Sequence, residues 1–226
     1  MDALQNNDSA QQGVNFNLLF LGLLILLLGG PFIHQYGGWS NSLLLELIFG
    51  TASLLFLLSF AKDLRVFVLG LIPASLTVVF SILAVVFDKD VFRYSMQISA
   101  FAFCLFAIRY SALEVFLSGA VDLNKIIGSI CIYLLLVVAW AIVYDFLELV
   151  TPGSFAGLSE TTDLSRFDEF SYFSLVTITT LGYGDITPEN SVAGITAGLQ
   201  ATAGVFYSAV LVASLVGDFM SSRAQK

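Results

Sequence analysis

The chain has 226 residues, of which 58% are hydrophobic and 12% are charged, and its mean hydropathy is +0.90. A soluble domain is about half apolar and about a quarter charged, so this composition predicts a membrane protein. The net charge of −8, from 9 Lys and Arg against 17 Asp and Glu, argues against nucleic-acid binding, which needs clustered cations to neutralise phosphates.

Six apolar stretches are each long enough to cross a membrane, which takes a helix of about 20 residues for about 30 Å of hydrocarbon. They cover residues 16–33, 42–61, 66–87, 91–117, 126–144 and 191–218. Residues 1–15 precede them and are expected to form an N-terminal tail. No basic leader and no small-x-small cleavage pattern accompany the first stretch, so we predict that it is retained as a helix. The predicted fold class is an all-α membrane protein with six transmembrane helices.

The first four predicted helices form one domain, over residues 16–120. A voltage sensor would carry several arginines on one helix at three-residue spacing. The fourth stretch has only Arg93 and Arg109, with no cation between them. We therefore expect a four-helix domain without an arginine array. Cations in the short flanking loops, such as Lys62 and Lys125, modestly favour cytoplasmic termini.

A polar, glycine-bearing segment lies between the last two apolar stretches. Its first part, SRFDEFSYFSLVTITT, predicts a short helix over residues 166–179 with Ser165 as the N-cap. This helix is too short to cross, so the chain must return to the side from which it entered. Irregular backbone at that depth is tolerated only where it is buried in protein or lines a watery path. Residues 180–184, TLGYG, are therefore predicted to form the wall of such a path.

Gly182 and Gly184 within TLGYG allow positive-φ conformations, which let successive carbonyls face one side. Copies arranged around an axis would then stack rings of oxygens. Such rings replace the hydration shell of a cation.

TTLGYGD closely resembles the signature of tetrameric pore-loop potassium channels, usually TVGYG followed by Asp. The order of elements is also similar, with an outer helix, a pore helix, a filter and an inner helix over about residues 126–218. The resemblance implies a pore domain at 121–219, a C-terminal tail at 220–226, and a homotetramer in the lipid bilayer of the cell membrane. It implies a filter with K+ bound at the first four of the positions Thr180, Leu181, Gly182, Tyr183 and Gly184. No other cofactor, no nucleic-acid partner and no enzymatic activity are expected.

The filter departs from the family pattern in its support. Leu181 stands where valine is commoner, and Val176 occupies a position where some members bury a carboxylic acid. Other residues must therefore brace the filter. We predict a hydrogen bond from Tyr172, where related channels often carry an indole, to Asp185, because a shielded carboxylate needs a donor. Thr179, at the end of the pore helix, is the third supporting residue.

The inner helix carries Gly204 where the resemblance places a bending glycine. A glycine there is equally typical of close helix packing. Small side chains recur on one helix face, which would line a cavity or pack against a neighbour. This face consists of Ala201, Val205, Ser208, Val212 and Leu215.

Three other functions compete with a potassium channel. A channel of the same architecture could select less strictly among cations. GYGD also satisfies the GxGD pattern of intramembrane aspartyl proteases, with Asp145 and Asp185 as the pair, although the PAL element of those enzymes is missing. A structural membrane subunit would give no reason for TLGYG in a re-entrant position.

Overall fold

The computed structural model describes residues 14–36, 42–60, 64–117, 123–159 and 163–224. These residues form helices and one two-stranded ribbon. In chain order the elements are α1 (Phe16–Tyr36), α2 (Ser42–Ser59), α3 (Leu64–Phe87), α4 (Asp90–Leu117), α5 (Leu123–Val150), β1 (Phe155–Ala156), α6 (Asp163–Ile178), β2 (Thr187–Pro188) and α7 (Ser191–Ala224).

Five helices in the described part of the chain are long and apolar enough to cross a membrane. They contain the stretches Phe16–Ile33, Leu64–Phe87, Asp90–Leu117, Leu123–Val150 and Ser191–Ser214. The chain is thus a multi-pass membrane protein. The second predicted span overlaps α2, whose described apolar part, Gly50–Ser59, is shorter than a span, so the count of six stays a prediction.

Contacts divide the chain into two compact units. One comprises residues 1–26 and 46–132, and the other comprises residues 27–45 and 133–226. Helices α1, α2 and α5 each contribute residues to both units.

In the first unit, α3 and α4 pack along their length and are joined by a tight turn. Gly70 faces the ring of Phe106, where any side chain would collide with the aromatic carbons. The Thr77 and Ser99 hydroxyls lie 3.0 Å apart across the same contact. At the turn, Arg93 is held by an ion pair with Asp88 at 2.7 Å.

The second unit is built around an aromatic cluster in which α5, β1 and α6 meet. The ring of Tyr144 packs against Phe155, Phe170 and Phe173, with centroid distances of 5.5, 6.3 and 4.9 Å. All four side chains are buried. Edge-to-face and tilted contacts at these distances add to the free energy of burial. The cluster packs α6 against α5.

Several element boundaries differ from the predicted ones. Helix α5 continues past 144 to Val150, since Asp145 pairs with Arg166 and Glu148 accepts the N–H groups of Gly153 and Phe155. These partners satisfy acids that the sequence suggested were in a loop. Helix α6 begins at Asp163, so the expected N-cap Ser165 lies inside it, and α7 runs beyond 218 to Ala224.

Candidate functional site

The TLGYG segment, residues 180–184, is called the filter below after the role that the sequence predicts for it, and it has an alternating backbone. Thr180, Gly182 and Gly184 have φ values of +59°, +60° and +78°, whereas Leu181 and Tyr183, which lie between them, do not have positive φ. Alternation of left-handed and right-handed residues turns successive carbonyls toward one side of the chain, unlike a β-strand, in which they alternate. Glycine adopts positive φ without steric cost, but threonine does so only at a cost of about 1–2 kcal/mol.

Hydrogen bonds from the filter to the end of α6 hold this backbone in place. The Thr180 N–H donates to the Thr177 carbonyl at 3.0 Å, and the Leu181 N–H donates to the Val176 carbonyl at 2.9 Å. The Thr179 hydroxyl bonds back to the Leu175 carbonyl at 2.7 Å. The first two residues of the TLGYG segment are therefore bonded to the last turn of α6.

At the outer end of the filter, the Tyr172 hydroxyl donates to Asp185 Oδ2 at 2.6 Å, so the predicted hydrogen bond is present. This bond raises the pKa of Tyr172 to about 12 and lowers the pKa of Asp185 below its usual value. The other carboxylate oxygen accepts the Ile186 N–H at 3.1 Å. Both pKa directions favour a neutral phenol beside a charged carboxylate.

A ribbon that the sequence did not reveal supports the segment after the filter. Strand β1 pairs antiparallel with β2, matching Phe155 with Pro188 and Ala156 with Thr187. The next residue, Gly157, has a φ of +85°, and a β-carbon there would overlap the Asp185 carbonyl oxygen. This part of the α5–α6 loop therefore lies directly against the chain as it leaves the filter.

A buried polar network, also missed from sequence, links the outer, pore and inner helices. The Tyr144 hydroxyl donates to Gln200 Oε1, and Gln200 Nε2 donates to the Ser174 carbonyl at 3.0 Å and to the Ser174 hydroxyl at 2.6 Å. That hydroxyl donates to the Val137 carbonyl at 2.7 Å. The sequence did indicate such a network, because the amide side chain of Gln200 within an apolar span costs free energy unless it forms hydrogen bonds.

Gly204 on α7 lies against the end of α6. A β-carbon at this position would overlap the Ile178 carbonyl oxygen, which also accepts a hydrogen bond of 3.2 Å from the Tyr133 hydroxyl. Helix α7 is continuous through Gly204. Close packing, one of the two roles predicted for this glycine, is therefore present.

The small-residue face of α7 lies partly below the filter. A cavity of about 310 Å³ is lined by Thr180, Ala201, Thr202, Val205 and Phe206. Ala201 and Val205 thus lie close to Thr180. The Ser208 hydroxyl bonds to the Gly204 carbonyl at 3.0 Å and Val212 is exposed. The side chain of Leu215 lies outside the described residues.

The two aspartates of the protease alternative have separate partners. Asp145 is buried and accepts a 2.5 Å bond from Arg166 Nε, whereas Asp185 bonds to Tyr172. A catalytic pair would instead share a proton between its carboxyl groups. The observed contacts give both aspartates structural roles.

The carboxyl group of Asp168 lies in the first half of α6. Its carboxylate lies against the backbone of Gly30 on α1, where a β-carbon would overlap it. Burial, together with the neighbouring charge of Glu169, raises the pKa of Asp168 to about 7.

Residues 132–221 match a protein family described as ion channel. The match contains α6, the filter and most of α7, and it extends over about two fifths of the chain. It supports assignment of this region to an ion channel. No curated protein and no solved structure is detectably similar to the chain.

Proposed function

We propose that this protein is a potassium-selective channel in which four identical chains surround the ion path. In each chain, Thr180, Leu181, Gly182 and Tyr183 contribute carbonyl oxygens to four levels of ion site, and Gly184 ends the filter. The observation that supports this most directly is the alternation of positive φ at residues 180, 182 and 184. Oxygens turned to one side are what a desolvated cation requires.

The electrostatics of the pore helix also favour a cation. Helix α6 ends at Ile178, immediately before the filter, so its negative dipole end faces the entrance. In a tetramer, the open depression of about 310 Å³ beside Thr180 would become part of a shared cavity with room for an ion and part of its hydration shell. An anion there would be repelled by the negative end of the helix dipole and by the carbonyl oxygens.

Assembly into a tetramer follows from the need to surround the ion, because one chain covers only one side of it. In the single chain the side chains of Leu181 and Tyr183 are 55% and 66% exposed. Large apolar groups next to a filter need a packing surface, which a neighbouring chain would supply. Native mass spectrometry in detergent should give four chains per particle. A monomer or dimer that still conducts would contradict the tetramer.

The test of selectivity is single-channel recording of the purified protein in bilayers with potassium on one side and sodium on the other. The reversal potential should follow the potassium gradient. Equal permeability would support instead a cation channel of low selectivity, and absence of current would remove the channel function.

A matched pair of alanine variants ties selectivity to the backbone. Neither Gly182 nor Gly194 has an atom within 4 Å of the position that a β-carbon would take, but Gly182 has a φ of +60° and Gly194 lies in α7. Gly182→Ala should lose potassium selectivity, whereas Gly194→Ala should keep it. The two substitutions differ in backbone conformation and not in available space within the chain.

We further place the protein in the cell membrane with both termini in the cytoplasm, based on the distribution of Lys and Arg in the short loops. Labelling of a cysteine added at either terminus from the inside, and not from the outside, would agree with this orientation.

A further inference from the structure

The inner helix touches the pore helix at two points that lie one turn apart on both helices. Gln200 contacts Ser174, and Gly204 contacts Ile178. Gln200 and Gly204 are four residues apart on α7, and Ser174 and Ile178 are four residues apart on α6. Residues four apart share one helix face, so the two helices meet along a short common edge just behind the filter.

We infer that Gln200 is a positioning residue for the filter, a role that rests on the proposed function. Its side chain is 0% exposed. The Gln200 amide is both an acceptor and a donor of hydrogen bonds. Its Oε1 accepts from Tyr144 and its Nε2 donates to Ser174. Neither a carboxylate nor an apolar side chain of similar length can do both.

The path from Gln200 to the filter is short. Ser174 lies two residues before Val176, and the Val176 carbonyl accepts the Leu181 N–H. Helix α6 is rigid over this distance, so a displacement of Ser174 also displaces the Val176 carbonyl, to which the filter is bonded. A fully satisfied buried network resists such displacement, and loss of one member leaves the remaining groups buried without partners.

The network also ties the filter to the outer helix. Tyr144 and Val137 both belong to α5, and the ring of Tyr144 lies in the aromatic cluster with Phe170 and Phe173 of α6. Gln200 thereby fixes the pore helix from two sides at once. A residue that merely filled space would stabilise the fold without any effect on which ion passes.

The experiment compares Gln200→Met, which keeps the side-chain length and removes the donor and the acceptor, with wild type. The expected result is a raised sodium permeability and current that decays about tenfold faster during sustained opening, the factor that corresponds to one buried hydrogen bond. Thr196→Val is the control, since the Thr196 hydroxyl makes an exposed bond to the Val192 carbonyl of its own helix at 2.7 Å. It should behave as wild type.

A double variant separates positioning from general destabilisation. Tyr144→Phe should give a smaller change in the same direction, and Tyr144→Phe with Gln200→Met should match Gln200→Met alone, because the bond between them is already lost. Fully additive effects on current decay would overturn the inference. So would a Gln200→Met protein that melts earlier but shows wild-type decay and reversal potential.

If Gln200→Met does not assemble, Tyr144→Phe and Ser174→Ala take its place, and unchanged decay in both would overturn the inference. The proposed function fails separately. A wild-type channel without potassium preference contradicts potassium selectivity, while the decay rates of wild type and variants still decide the role of Gln200.

Discussion

The hydroxyl of Tyr172 and the carboxylate of Asp185 lie 2.6 Å apart, joining the middle of the pore helix to the outer end of the filter. The two residues are separated by the whole TLGYG segment, so their bond closes a loop around it. This contact holds the upper end of the filter, and the bonds of Thr180 and Leu181 to α6 hold the lower end.

Removing the donor from this bond should weaken the filter. We predict that Tyr172→Phe speeds the loss of current during sustained opening several-fold, because Asp185 loses the bond that also lowers its pKa. Ion preference should be unchanged, since the bonds from Thr180 and Leu181 to the end of α6 are kept. Tyr110→Phe is the control, as the Tyr110 ring packs on Phe106 at 4.5 Å and phenylalanine keeps that ring. Equal decay in both variants would leave the Tyr172 bond without a role in conduction.

The Tyr172–Asp185 pair should contribute little to the pH dependence of current decay in the physiological range. Because the pKa of Asp185 is lowered, its contribution to stability is complete above pH 3.8. That contribution is lost only as the pH falls below this value. Because the pKa of Tyr172 is raised, its contribution to stability is complete below pH 10.0. That contribution is lost as the pH rises toward about 12. Current decay should therefore be equally sensitive to Tyr172→Phe at pH 5 and at pH 9.

Asp168 should behave in the opposite way. Its pKa rises from 3.8 to about 7, so the folded protein binds this proton more tightly than the unfolded chain does. Its contribution to stability is complete below pH 3.8 and is lost as the pH rises from there through about 7. We predict that Asp168→Asn melts like wild type at pH 4 and at a higher temperature than wild type at pH 7.5. A difference in melting temperature that does not vary with pH would show that the Asp168 carboxyl is not perturbed.

The contact between the α5–α6 loop and the filter exit can be tested with two glycines. Gly153 and Gly157 have φ values of +81° and +85°, but only Gly157 has the Asp185 carbonyl where a β-carbon would lie. Alanine at either position costs about 1–2 kcal/mol in backbone strain. Gly157→Ala should cost a further amount of about 1–3 kcal/mol from the collision. Thermal unfolding would measure both, and equal losses would mean that the loop moves away freely.

What could be predicted from sequence was local. The filter, the short helix before it and the Tyr172–Asp185 bond all lie within one stretch of about 20 residues, in which spacing determines geometry. The Gln200 network joins residues 26 and 56 positions apart in the chain, and no periodicity relates them. The acids Asp145 and Glu148 suggested a loop after 144, but their partners Arg166 and Gly153 keep α5 helical to Val150.

Gly204 allows the two roles predicted for it, bending and packing, to be separated by experiment. The Ile178 carbonyl occupies the position of its missing β-carbon, and that carbonyl cannot move without the last turn of α6, from which the filter hangs. Gly204→Ala should therefore cost about 1–3 kcal/mol of stability through overpacking and should raise sodium permeability. Gly198→Ala is the matched control, because Gly198 has no atom within 4 Å of the corresponding position and alanine should stabilise its helix by about 0.5–1 kcal/mol. Bilayer recordings under potassium and sodium gradients, with thermal unfolding of the same preparations, would measure both effects. A Gly204→Ala channel with wild-type selectivity and a changed open probability would favour bending instead, since a hinge acts on the gate and leaves the filter in place.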